Sequence, residues 1–142
     1  MKILNIIFYS TIVLVIIILF SCKDKEKEKI IYSLESIGIH QSFDLSTIIK
    51  EDWDTLYIIS PYEELDSIVG INFSERDKSS LMISTSYEGY TTFAFIKNRQ
   101  MVNYHRIPYT AVDFFPLIDS INYFSPKQKF ILDEKRVVSL VE

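Results

Sequence analysis

From Ile3 to Phe20 the chain is an almost unbroken apolar run, with Asn5, Ser10 and Thr11 as its clear polar interruptions. The seven residues after Cys22, Lys23 to Lys29, are then all charged. An apolar stretch of 18 residues lies near the lower limit of a membrane-spanning helix, about 17–25 residues, and above the usual core of a secretory leader, about 7–15 residues. Its length fits both an anchor and a cleaved leader. Seven consecutive ionised side chains cannot bury apolar surface, so 23–29 read as a solvated tether.

Past the tether the pattern turns to short elements. Asp44 ahead of Leu45, Ile48 and Ile49 sets a capping residue before an i, i+3, i+4 stripe, which predicts a short helix ending near Glu51. Leu56 to Ile59 is an apolar run of strand length. Ser60-Pro61-Tyr62-Glu63 has the form of a capping box with proline at the first helical position. It predicts a helix that buries Leu65, Ile68 and Val69 and stops at Gly70.

The period then changes. Leu81 and Ile83 alternate with Met82 and Ser84, which predicts a strand. Phe93 and Phe95 alternate with Thr92, Ala94 and Ile96, and Lys97 to Gln100 connects them to Met101–Ile107 as a hairpin. Thr110 to Ser120 reads as a short helix with Phe114, Leu117 and Ile118 on its apolar face, limited by Pro116. Phe130 to Leu132 and Val137 to Val141, joined by Asp133 to Arg136, form a second hairpin. Two or three short helices and a mostly antiparallel sheet of about five strands make a single small α+β domain over residues 30–142.

Composition removes several classes. The 142 residues allow one domain of ordinary size. A hydrophobic share of 48% with 24% charged residues fits neither a disordered tail nor a bundle of membrane helices. The single cysteine excludes a disulfide framework and a cysteine-based zinc site. Residues 30–142 carry 10 basic against 16 acidic side chains, net -6. No nucleic-acid partner is expected, because phosphate neutralisation needs clustered Lys and Arg.

Leu19-Phe20-Ser21-Cys22, at the end of the apolar run, resembles the lipobox of bacterial lipoproteins. An apolar residue three positions before the cysteine and a small one directly before it are its marks, while Phe20 is larger than the residue usual at that place. The resemblance implies that signal peptidase II removes residues 1–21, that the Cys22 thiol carries diacylglycerol and that its freed amino group is acylated. Residues 22–29 would then link a lipid-anchored cysteine to the domain, with the membrane as one partner. Charge supports cleavage: four Lys at 23, 25, 27 and 29 would outweigh Lys2 and hold an uncleaved domain in the cytoplasm. A charged stretch directly after the lipidated cysteine also resembles a surface-export signal, which favours the outer membrane or cell surface.

Motif chemistry is sparse. GxSxG, HExxH, the P-loop and GxGxxG are all missing from the sequence, so no catalytic residue and no cofactor is expected. His40 and His105 are too far apart in sequence for a metal-ligand pair, and no metal is expected. The most specific feature is Glu51-Asp52-Trp53-Asp54, to which Glu63 and Glu64 would return across a sheet edge. Trp53, Asp54 and Glu63 are the candidate binding residues: an indole can stack on a sugar, and paired carboxylates can serve glycoside hydrolysis or Ca2+. The competing structural reading makes Trp53 a core anchor between helix and strand, with Asp54 and Glu63 complementing helix ends. Tyr87, Tyr90, Tyr104, Tyr109 and Tyr123 could cover a sheet or form a recognition face.

Together these features point to a non-enzymatic lipoprotein that presents an acidic domain to a protein or envelope glycan. Two other classes remain open at this stage. One is a carboxylate hydrolase of envelope sugars; the other is a small inhibitor or immunity-like protein whose acidic face pairs with a basic partner.

Overall fold

The computed structural model describes Lys25, residues 27–118 and residues 120–141. The apolar leader and Cys22 lie outside the described residues. The chain divides into two units, Met1–Ile30 and Ile31–Glu142, and the second holds all seven strands. A helix over 27–35, α1, takes in residues 27–29 of the expected tether. Lys and Glu are good helix formers, so a charged run at a helix start need not remain extended.

The strands are β1 (Ser42–Phe43), β2 (Thr55–Ile59), β3 (Tyr90–Lys97), β4 (Gln100–Pro108), β5 (Tyr123–Phe124), β6 (Phe130–Leu132) and β7 (Val138–Leu140). Two longer-range helices join them, α2 (Glu75–Thr85) and α3 (Phe115–Ile118). One sheet has the order β4-β3-β2-β5 and the other β1-β6-β7, and every strand pairing is antiparallel. The class is α+β, a small single domain, with seven strands in two sheets where about five in one were expected.

Register explains the two cores. Leu56 opposes Phe95 and Ile58 opposes Phe93 on one face of the larger sheet, while Tyr57 opposes Ala94 on the other. The Tyr57 face carries Ile59, Ala94 and Ile96 and is covered by Leu81 of α2. On the opposite face, Phe93 meets Phe114 edge-on at 5.1 Å, Phe114 meets Phe130 at 5.2 Å, and Phe124 meets Phe130 at 5.3 Å. Phe130 belongs to the smaller sheet, so aromatic edges join the two sheets. Strands covered on both faces read as continuous apolar runs, which is why Leu56–Ile59 shows no alternation.

Four expected elements differ. The helix expected over Thr110–Ser120 is confined to the four residues Phe115–Ile118, and Phe114 lies ahead of it in the core. At Asp44 the side chain does not cap: it accepts the Ser46 hydroxyl and the Lys129 ammonium, and the segment is a single 3-10 turn, Leu45–Thr47. After Ser60, only half of the capping box forms, the Glu63 carboxylate accepting the Ser60 N–H. Tyr62 has φ 64, incompatible with the first turn of an α-helix, and only the 3-10 turn Leu65–Ser67 follows. Val69 is consequently 95% exposed instead of buried. Leu81–Ser84, expected as strand, lies in α2, which Ser74 and Asp77 start with a full reciprocal capping box.

Candidate functional site

Trp53 immediately precedes the larger sheet, and its indole is 6% exposed. It meets Phe95 edge-on at 5.4 Å, and Phe95 in turn packs against His105 at 5.7 Å. The ring is packed into the core rather than offered to a ligand. Its neighbour Asp54 faces solvent, with its backbone N–H on the Ile96 carbonyl. The Asp54 carboxylate accepts the amide N–H of Asn98 at 2.9 Å. Asn98 and Arg99 form the two-residue β3–β4 turn with φ 50 and 66. Two positive φ values are the mark of a hairpin turn that matches strand twist, so Asp54 steadies a costly but well-matched connection.

Glu63 lies beyond the far end of β2. Its Oε1 accepts the Tyr57 hydroxyl at 3.0 Å and its Oε2 the Ser60 N–H at 2.9 Å, while Asn122 Nδ2 donates to the same Tyr57 oxygen. Burial and the adjacent Glu63 charge push the Tyr57 hydroxyl well above the ordinary range, which keeps it a proton donor. Asp54 and Glu63 therefore flank opposite ends of a five-residue strand. At about 3.3 Å per residue, roughly 20 Å of chain separates Asp54 from Ser60. Glycoside hydrolysis uses two facing carboxylates about 5–9.5 Å apart, whereas these two are engaged by separate partners, Asp54 by the Asn98 amide and Glu63 by Tyr57 and Ser60.

No family model, curated protein or solved structure matches this chain. The site is therefore read from its own geometry.

Glu51, the first residue of the acidic cluster, gathers two partners that the sequence does not reveal, Asn103 and His105. Its Oε1 accepts the Asn103 side-chain amide and lies 3.4 Å from His105 Nε2, while Oε2 is buried without a partner among the described residues. Burial raises the Glu51 carboxyl, but hydrogen bonds from His105 and Asn103 outweigh it, and the net shift is downward. His105 is buried beside Phe95. Only the β4 register brings Asn103 and His105 to one face, since residues two apart share a face. Among the described residues no group of three or more His, Cys, Asp or Glu could hold a metal ion.

Three hollows adjoin the expected residues. The largest, about 540 Å³, lies between the 62–66 segment and α2, with Glu63 in its lining. Lys78 bridges it, pairing with Asp66 at 2.7 Å and Glu75 at 3.4 Å. Two smaller hollows of about 390 and 360 Å³ share Asp54, Thr55 and Tyr123. Asp54 and Glu63 thus line different hollows, and Trp53 lines neither. Cys22, the expected lipidation site, lies outside the described residues.

Proposed function

We propose that the chain is an extracytoplasmic lipoprotein, held in a bacterial outer membrane through lipidated Cys22, whose acidic domain is a non-enzymatic binding module. The observation that carries the anchor is Leu19-Phe20-Ser21-Cys22 at the end of an 18-residue apolar run. Each buried methylene contributes about 0.8 kcal/mol and a single acyl chain binds only reversibly, so the three chains of a mature lipoprotein make attachment permanent.

The binding role is supported by how the carboxylates are used. Asp54 holds a turn, Glu63 fastens a loop to Tyr57, Asp52 pairs with Lys97 and Asp66 with Lys78. These groups brace a surface instead of converging on a reacting atom. The test is metabolic labelling with palmitate. The native chain takes up label and is shortened, whereas Cys22→Ala remains unlabelled and unprocessed; normal labelling of Cys22→Ala contradicts the reading.

A further inference from the structure

We infer that Tyr123 is the stacking platform of a saccharide site that takes a β-linked, N-acetylated glycan chain. This rests on the reading of the domain as an outward-facing binding module and names its ligand.

Tyr123 is 65% exposed on a two-residue edge strand, so its ring stands at the margin of the sheet. It lines both hollows of about 390 and 360 Å³, each at the small end of the range that ligand sites occupy. Aromatic rings at such margins pack against the C–H face of a pyranose, with their polar tip left to water.

Two planar polar groups line the hollow of about 360 Å³ together with Tyr123. Asp54 uses Oδ2 for the Asn98 amide, and Oδ1 has no partner among the described residues. Arg99 donates Nε to the Gly70 carbonyl, which fixes the guanidinium while its two terminal nitrogens have no partner among the described residues. The guanidinium presents two parallel donor directions, the geometry that vicinal hydroxyls satisfy, and Asp54 Oδ1 adds an acceptor beside it. Their charges are opposite, so the pair suits a neutral ligand better than an ionic one.

Each hollow also holds one exposed aliphatic side chain, Val69 in one and Ile121 in the other, 95% and 40% exposed. Successive sugars of a β-1,4-linked chain are rotated by about half a turn, which sends their 2-substituents alternately to opposite sides. A chain lying across Tyr123 would direct one acetamido methyl toward Val69 and the next toward Ile121. The larger hollow beside α2 holds an exposed tyrosine, Tyr62, but no guanidinium, and its one cation, Lys78, is already paired with Asp66 and Glu75.

The test uses the full chain in neutral phosphatidylcholine nanodiscs, titrated with tetra-N-acetylchitotetraose and read by calorimetry and saturation-transfer NMR. The native chain should bind it saturably. Tyr123→Ala should weaken binding by about tenfold or more, the scale of a lost aromatic contact, with little change in unfolding midpoint. Tyr62→Ala, which removes an exposed tyrosine elsewhere, should bind as the native chain does, and cellotetraose, lacking the acetamido groups, should bind about tenfold more weakly. Absence of saturable binding, equal affinity of Tyr123→Ala, weakened binding by Tyr62→Ala or equal affinity for cellotetraose would each overturn the site. A lipidated native chain that fails to bind refutes this site alone; an unlipidated chain that binds refutes the anchor alone.

Discussion

The Arg136 guanidinium donates from Nη2 to the Leu34 carbonyl at 2.8 Å, joining positions 102 residues apart. Its Nη1 reaches the Ile37 carbonyl at 3.3 Å and its Nε the Ala111 carbonyl at 2.6 Å. One cation thus satisfies carbonyls at the end of α1 and in the approach to α3, and a positive charge there also suits the negative end of a helix. The residue accomplishes this from a turn position with φ 63.

Removing that side chain should be costly. A hydrogen bond from a charged group contributes about 1.5–3 kcal/mol, and three of them lost together should lower stability by at least about 2 kcal/mol in Arg136→Ala. Arg136→Gly loses the same bonds but relieves the left-handed backbone, so it should be milder by roughly 1 kcal/mol. Denaturant unfolding of both variants checks the order. An Arg136→Ala midpoint equal to the native one would show that the fork is not a tie.

Trp53→Ala should cost about 3–5 kcal/mol, because the indole is buried against Phe95 and leaves a cavity that the sheet cannot close. That is a large part of the 5–15 kcal/mol typical of a whole domain. Thermal unfolding measures it directly. A change within about 0.5 kcal/mol, as for surface positions, would contradict the core assignment.

Acid should destabilise the domain through Asp44 and Glu51. The Ser46 hydroxyl, ahead of Lys129, draws the Asp44 carboxyl below its ordinary value, despite some opposing desolvation. Burial raises the Glu51 carboxyl, but His105 and Asn103 together outweigh it and the net shift is also downward. A carboxyl whose folded value is depressed contributes stability above its unfolded value and loses it as pH falls through the folded one. Stability should therefore hold near neutrality and fall below the ordinary values of 3.8 and 4.5. Unfolding midpoints followed across acid pH test this: Glu51→Gln should flatten the decline, and an unchanged slope would remove Glu51 from the account.

The parts of the fold legible in sequence are those whose signal is local. Leu56–Ile59, the Phe93–Phe95 alternation and the Phe130 and Val138 strands carry their own apolar patterns, and each forms where expected. The segments that departed are decided by partners and backbone angles that a four-residue cap pattern does not contain. Ser46 and, 85 residues on, Lys129 take the Asp44 carboxylate, and the left-handed Tyr62 stops the helix although Glu63 still accepts the Ser60 N–H. The stripe of α2 is Leu81, Ser84 and Thr85, and Ser84 meets Thr92 at 2.9 Å, so its buried face is largely polar and shows no apolar period. The candidate residues divide for the same reason: the Asn98 partner of Asp54 is 44 residues away. Tyr123 stands on a strand too short to leave a pattern.

Attachment through Cys22 is the claim on which the functional account depends most. Mass spectrometry of the N-terminal peptide from the membrane-extracted native protein tests it directly. The account predicts a chain that begins at Cys22, with a diacylglycerol thioether on its sulfur and an acyl group on its amino nitrogen. A peptide that retains Met1 to Ser21, or an unmodified Cys22 at the start of the mature chain, would contradict it.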